Sequence, residues 1–435
     1  MRTVNVAIVG FGTVGSGVAR ILLESGDALA ARAGVRLRLK YVCDTDLQRP
    51  RDIAVPQELL TDSLDRVLAD GEVEIVCELI GGTTVAYDVV ERALRAGKHV
   101  VTANKALLAE RGMPLMKLAR EQGVAISFEG AVAGGIPLIL AVRDGLVANR
   151  ITAIAGIVNG TCNYILTRMH EEGTPYAEAL SAAQAIGYAE ADPTLDVSGR
   201  DSAHKLVILG RLAFAVPIAF DEVYCEGIEG IDPRDVRFGD ELGYIIKLLA
   251  IGQLDSSGGV NLRVHPAFVP KGNPLAYVAD AYNAIMVHGD AAGDTLYYGR
   301  GAGQMPTASA VVADVVDTAL GRATLTFAER DMFAEDAAHA VRPIDDVRTR
   351  SYLRFDVIDE PGVLAAIAGI LGSHAISIAS VLQHESTDAE HVPLIIMTHE
   401  ALERDMQDAL RQIEQLDAVR CRPVHIRVVD QEGGR

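Results

Sequence analysis

The sequence predicts an α/β protein in three parts: a doubly wound parallel sheet, an α+β middle domain, and a C-terminal ferredoxin-like unit. Three observations carry this. Residues 1–135 alternate short β-rich runs with helical stretches, the order that builds a parallel sheet covered on both faces. From about Gly135 longer helical patterns mix with isolated strand-like runs. The last stretch repeats a strand-helix-strand theme, giving β-α-β-β-α-β. A chain of 435 residues also exceeds the usual reach of one hydrophobic core.

The opening segment "VNVAIVGFGTVGSGVARILL" is a β-rich run, a glycine turn and a helix with Val14, Val18, Ile21 and Leu22 on one face. Strands are expected at 37–43, 73–79, 100–102 and 125–128, with helices at 86–96 and 106–122 between them. In the middle part, helical patterns at 163–170, 177–185 and 202–213 accompany strand-like runs at 151–158 and 281–287. The charged stretch "ERDMFAEDAAHAVRPIDDVRTR" reads as a connector, with a boundary near residue 345. Beyond it Leu353, Phe355 and Val357 alternate, "DEPG" turns the chain, and Val363, Leu364, Ile367, Ile370 and Leu371 form a helical stripe. A strand at 376–381, another at 392–397, a helix carrying Leu402, Met406, Leu410 and Ile413, and a strand at 424–429 complete the unit.

Composition narrows the function. A net charge of -19 offers no basic patch for nucleic acid or an anionic membrane. The five cysteines are scattered and form no C-x-x-C pair, as in a reducing compartment. Glycines break the N-terminal apolar stretch, and Glu129 with several glycines breaks the one at 124–142, so neither a signal peptide nor a membrane span is expected. A soluble cytoplasmic protein is the expectation.

Gly10, Phe11, Gly12, Thr13, Val14 and Gly15 spell G-x-G-x-x-G between a strand and a helix, where backbone N–H groups meet a dinucleotide pyrophosphate. The alternative is a tight turn that binds nothing. Asp44, ending the second strand, suits ribose hydroxyls, whereas Arg49 and Arg51 suit a 2′-phosphate, so NAD and NADP both stand. Lys105 follows a strand end, where ligands sit in open α/β sheets, or it simply starts a surface helix. "EGAVAGGIP" presents backbone carbonyls and Glu129 to a hard cation, or forms an interdomain hinge. Thr161 stands where an N-cap belongs, leaving N–H groups for a small carboxylate or merely capping the start of a helix. In "GYAEADPTLDVSGRDSAHK", Asp201 and Lys205 share a helix face. They make either a surface ion pair or a proton donor with its orienting acid, and Glu190 could then pair with a substrate ammonium.

Six stretches, "GFGTVG", "TANKALL", "EGAVAGGIP", "GIVNGTCNYIL", "GYAEADPTLDVSGRDSAHK" and "GRGAGQMPTASAV", come in an order that resembles homoserine dehydrogenase, in the longer form with a C-terminal ACT domain. The resemblance implies a Rossmann-type cofactor domain over 1–135, completed by a helix near 303–320. It further implies a substrate-binding and dimerisation domain over 136–302, a linker over 321–348 and a ferredoxin-like ACT domain over 349–430. It implies interconversion of L-homoserine and L-aspartate 4-semialdehyde with NAD or NADP, in a homodimer or homotetramer. Lys205 then resembles the proton donor, Lys105 the lysine beside nicotinamide and substrate, and Asp201, Glu190, Asp196, Thr161 and Gly187 the substrate site. Glu129 with the carbonyls of Val132, Gly134 and Ile136 resembles a sodium site, and Gly303 returns the chain to the cofactor. The tail resembles an ACT domain through "DEPGVLAAIAGIL" and "ISIASVLQHE", implying a threonine effector. It reads "SHAISI" where many relatives carry a glycine and an asparagine, so a purely assembling role also stands. A related dehydrogenase for another amino-acid-derived aldehyde and a catalytically silent sensor remain as alternatives.

Overall fold

The computed structural model describes residues 1–255, 257–329, 340–384 and 391–429. Its first sheet comprises β1 (Thr3–Val9), β2 (Arg36–Cys43), β3 (Leu60–Thr61), β4 (Val73–Glu78), β5 (His99–Thr102) and β6 (Ile126–Ser127). All pairings are parallel, in the order β3-β2-β1-β4-β5-β6. Consecutive residues Val6, Ala7 and Ile8 are fully buried, as a strand covered on both faces requires. The strand order reverses between β1 and β4, which opens a crevice at their carboxyl ends. Helix Thr13–Glu24 follows β1, and helix Gln304–Ala319 returns from far along the chain to pack on it. Contact there is close enough that a Cβ on Gly17 would sit 2.9 Å from that of Ala308.

The second sheet joins the middle and C-terminal parts, which the sequence reading had treated as separate. Middle strands Ile151–Ile157, Tyr244–Leu254, Val260–Pro270, Tyr282–Gly289 and Gly293–Arg300 pair antiparallel. The last strand, Val424–Val428, then adds in parallel to Val260–Pro270 through Ala267 with Arg427 and Phe268 with Val428. The tail contributes Arg348–Val357, Ile378–Gln383, Val392–Thr398 and Val424–Val428, with helices Val363–Ser373 and Glu403–Ile413, in the ferredoxin-like β-α-β-β-α-β order. Leu402, expected in the second helix, lies in a short strand just before it. The connector expected at 321–348 begins with helix Arg322–Glu329. Its Val341–Arg342 pairs with Val260 and Asn261, while residues 330–339 lie outside the described residues. Glu385, which ends the quoted "ISIASVLQHE", and residue 430 also lie outside them.

Helices Gly160–Glu172 and Arg200–Phe214 cover one face of the middle strands. Among the described residues, no helix is long and apolar enough to cross a membrane.

Burial explains why the seam holds. Asp235, 0% exposed on helix Pro233–Glu241, accepts from Tyr352 Oη at 2.8 Å and from Arg354 Nε at 2.6 Å and Nη2 at 2.9 Å. The Tyr352 ring tilts against Phe268 at 4.6 Å. Removing the carboxylate strands a guanidinium and a phenol between the two parts. Asp235→Ala is therefore expected to lower stability by about 3–5 kcal/mol in urea titration.

Candidate active site

At the end of β1 the three glycines have three different surroundings. Gly10 has φ +102, and a Cβ there would fall 2.6 Å from the Leu79 carbonyl. One on Gly15 would lie 2.0 Å from the Gly10 oxygen. Gly12, at the N-cap of helix Thr13–Glu24, has nothing within 4 Å of such a Cβ. The outer two glycines are thus demanded by the fold, while the middle one faces open space at a helix N-terminus, the cradle a pyrophosphate requires. Thr13 is exposed there and Val14 half-buried. Asp44 accepts the Phe11 amide at 2.6 Å, and Arg51 Nε donates to the Phe11 carbonyl at 2.9 Å with its guanidinium 4.7 Å from that ring. Both side chains brace the glycine loop from the β2 side. Arg49 stays exposed.

The second cluster centres on Asp201, 3% exposed in the first turn of helix Arg200–Phe214. Its Oδ2 accepts from Lys205 Nζ at 2.7 Å and from Asn159 Nδ2 at 2.8 Å, and its Oδ1 lies 3.2 Å from Lys105 Nζ. Burial pushes this carboxyl up, but the two ammoniums prevail and hold it well below the ordinary carboxylate range. Asp201 in turn raises Lys105 against the effect of burial. The surface ion-pair reading fails here, because Lys205 is only 8% exposed. Its ammonium spends a second hydrogen on the Val158 carbonyl at 2.6 Å, and among the described residues the third has no partner.

Three elements bring these groups together. Thr102 ends β5 beside Glu78 of β4, whose Oε2 accepts its hydroxyl at 2.7 Å. Asn104 then caps helix Lys105–Glu121 through Leu107 N at 3.1 Å, placing Lys105 at its first position. Helix Arg200–Phe214 is fastened to that helix by Arg211, which donates to the Leu108 and Ala109 carbonyls at 2.7 and 2.8 Å, and by His204, 2.9 Å from Glu110.

The N-cap of helix Gly160–Glu172 is Asn159, correcting the expectation for Thr161. Asn159 is extended at φ -125 and ψ 113, and its Oδ1 accepts Cys162 N at 2.8 Å. Its amide reaches Asp196 Oδ1 at 2.8 Å as well as Asp201. Thr161 lies inside the first turn and donates to the Tyr188 carbonyl at 2.6 Å, tying the helix to the loop of Gly187. Asp196 is half-buried, and burial with the Asp201 charge raises its carboxyl. Gly187, at φ +78, turns the exposed loop that carries Glu190.

Sequence reasoning missed Asn159, Glu78, His204 and Arg211. The signals were present: an Asn two residues before Thr161, a Glu ending the apolar run "VEIVC", and charged residues along an otherwise apolar helix.

Glu129 is buried, and its two oxygens accept the Ile139 and Leu140 amides, each at 2.8 Å. Burial pushes this carboxyl up. The Ile136 carbonyl accepts from Leu138 N at 2.7 Å. Val132 is extended, while Gly134, at φ +49, packs on Gly301 so closely that a Cβ would lie 2.5 Å from its carbonyl oxygen. Gly303 precedes helix Gln304–Ala319 at φ +124. This segment therefore lies where the chain re-enters the first part.

Comparison with known proteins gives this geometry a family. Residues 10–129 match the model of the NAD binding domain of homoserine dehydrogenase, 137–316 that of homoserine dehydrogenase, and 351–418 that of the ACT domain. The chain is 45% identical to a homoserine dehydrogenase of Pseudomonas aeruginosa, over 98% of this chain and 99% of that one. The crystal structure of a homoserine dehydrogenase from Thiobacillus denitrificans superposes with a TM-score of 0.93 at 43% identity, covering 99% of each chain. A hyperthermophilic archaeal homoserine dehydrogenase in complex with NADPH matches with a TM-score of 0.61 at 28% identity, over 74% of this chain and 98% of that one. With a glycine cradle at a strand-order reversal, a buried Asp201 between two lysines and a ferredoxin-like tail, the chain belongs to the homoserine dehydrogenase family of NAD(P)-dependent oxidoreductases.

Proposed function

We propose that the chain interconverts L-homoserine and L-aspartate 4-semialdehyde, with Lys205 as the group that exchanges a proton with the substrate oxygen. The observation that carries this is the Lys205 ammonium, buried and held by Asp201 and the Val158 carbonyl with one hydrogen left over. A bound nicotinamide supplies or accepts the hydride. Lys205 gives its proton to the aldehyde oxygen as negative charge develops there, and takes it back from the hydroxyl in the reverse direction. Asp201 fixes the ammonium and holds Lys105 as a second positive charge beside it. Glu190 and Asp196 receive the substrate ammonium, with Gly187 shaping the loop. The N-terminus of helix Gly160–Glu172, including Thr161, receives the carboxylate.

The loop Gly10–Gly15 holds the pyrophosphate, with Gly303 closing the site. Asp44 serves the ribose of NAD and Arg51 the 2′-phosphate of NADP. Sodium belongs to the same reading as a structural ion. The buried Glu129 carboxylate suits a hard cation, with Val132, Gly134 and Ile136 offering carbonyl oxygens. The domain division 1–135 with the helix near 303–320, 136–302, connector 321–348 and 349–430 is part of the proposal. So are feedback by L-threonine through the C-terminal domain and assembly as a homodimer or homotetramer; the matched ACT model supports the regulatory role.

Three outcomes test it. Lys205→Ala should lower kcat for homoserine, followed by nicotinamide absorbance with each cofactor, by about 10²–10⁴-fold while cofactor titration is unchanged. Full activity in that variant rules out the assigned role, and no activity of the unaltered chain with either cofactor rules out the reaction. Gly12→Ala should keep its thermal midpoint and bind cofactor at least about tenfold more weakly, whereas Gly15→Ala should lose stability as well. The third concerns acid. Because the folded Asp201 carboxyl is depressed, its contribution is complete above an unfolded value of about 3.9 and is lost as pH falls through the folded value. Stability of Asp201→Asn, measured by urea titration at several pH values, should therefore fall less steeply below about pH 4 than that of the unaltered chain.

A further inference from the structure

The turn Gly301–Gly303, which returns the chain to the first part, is held between two neighbours. On one side a Cβ on Gly134 would lie 2.5 Å from the Gly301 carbonyl oxygen. On the other side lies Asn283. It pairs with Gly299 in the hairpin of strands Tyr282–Gly289 and Gly293–Arg300, so by the two-residue period of a strand its side chain shares a face with Gly299 and Gly301. A Cβ on Gly301 would overlap the Asn283 amide itself. Gly301 is thus required by this close approach, and Gly303, at φ +124, by its conformation.

Asn283 is 1% exposed, yet neither its Oδ1 nor its Nδ2 has a hydrogen-bond partner among the described residues. The buried Asn159 and Asn163 use both ends of theirs: Asn159 accepts from Cys162 N and donates to Asp196, while Asn163 accepts from Lys247 and donates to the Val278 carbonyl. A buried amide unpaired at both ends costs stability that an apolar side chain of the same size would not. It calls for a second arrangement in which it is paired. The turn holds the groups for one. Neither Gly301 nor Ala302 makes a backbone hydrogen bond outside the strand ladders among the described residues, and a peptide unit offers one N–H and one carbonyl, the complement of an amide.

Two connections tie Asn283 and the turn to the reaction. Gln304, next after the turn, lies against the glycine-loop helix, where a Cβ on Gly17 would come 3.0 Å from its Cγ, and its amide reaches Asp52, beside Arg51, at 3.3 Å. On the side of the middle strands Ala284 pairs with Ile157, so the next position sets Asn283 opposite Val158, whose carbonyl holds the Lys205 ammonium at 2.6 Å.

We propose that Asn283 is a positioning residue for the nicotinamide cofactor: a cofactor seated on the glycine loop draws the turn Gly301–Gly303 into a second arrangement, in which a peptide unit of the turn pairs with the Asn283 amide. Moving the turn gives up the close contact with Gly134, a cost that cofactor offsets by binding the second arrangement more tightly. The bonds made by Asn283 then add to the apparent cofactor affinity and fix the turn against the strand opposite Val158. The inference rests on the oxidoreductase reading of the site and adds a residue to it.

The test is titration of the full chain with NADPH and with NADH, followed by nicotinamide fluorescence, alongside thermal midpoints with and without cofactor. Asn283→Leu, similar in size but apolar, should melt no lower than the unaltered chain without cofactor, because it removes an unpaired buried amide. It should nevertheless bind the tighter of the two cofactors at least about tenfold more weakly and show a smaller rise in midpoint on adding it. A side chain that only supports the fold would give the reverse, a lower midpoint with unchanged affinity, and that result overturns the proposal. Amide hydrogen exchange in the unaltered chain decides the matter if the variant does not fold: exchange across Gly301–Gly303 should slow at least about tenfold at saturating cofactor, and exchange that cofactor leaves unchanged overturns the proposal. Binding of neither cofactor by the unaltered chain would overturn the oxidoreductase reading along with it, whereas the other two failures strike the role of Asn283 alone.

Discussion

A single carboxylate organises the centre of this molecule. Asp201 is buried, and a buried carboxylate left alone costs several kcal/mol, so the fold must deliver its partners. They come from three places: Lys205 one turn along the same helix, Lys105 at the start of the helix after β5, and Asn159 at the cap of helix Gly160–Glu172. Docking those three helix ends is therefore a condition of stability before it is a condition of chemistry. Arg211 and His204 fasten two of the helices one to two turns away, so the lysines approach one another through backbone-level contacts. The two positive charges are held in place by the negative charge they neutralise.

What was legible in the sequence follows from how local each cause is. The G-x-G-x-x-G loop could be read because its demands are set by adjacent backbone, as the Gly10–Gly15 approach shows. The Asp201–Lys205 spacing was equally plain, but not its burial, which depends on a helix that begins at Lys105. Thr161 reads as the cap because Thr is one of the capping residue types, but Asn159 two residues earlier, a residue at least as strongly preferred there, is the cap. Strand Tyr244–Leu254 went unread because its nearly continuous apolar run carries no strand period, whereas Val260–His265 alternates apolar and polar residues and was legible in principle. The six motifs named the family where spacing alone left each site open between function and surface chemistry.

The C-terminal unit was legible as a fold and illegible as an attachment. Alternation at Leu353, Phe355 and Val357 announces a strand, whereas the pairing of Ala267 with Arg427 joins residues far apart in the chain and leaves no local trace. Two ion pairs straddle that junction, the buried Asp235 with Arg354, and the buried Arg427 with the partly exposed Glu226. Loosening the seam would break the buried Asp235–Arg354 pair before water could solvate either charge. A rigid-body swing of the tail is thus costly, and small shifts along the sheet are the motions available to it.

Those shifts have a defined place to act. Val260–Pro270 is the strand to which the tail is joined, and it is also the strand whose Leu262 and Val264 press on helix Arg200–Phe214. Gly199 and Gly210 meet these side chains with no slack, since a Cβ at either would come within 3.1 Å. Displacing the strand must move that helix or open a void beneath it, and close-packed interiors resist both. Asp201 and Lys205 ride on the first turns of the same helix, so a change in how the tail seats reaches the Lys205 ammonium through one strand and one packing contact.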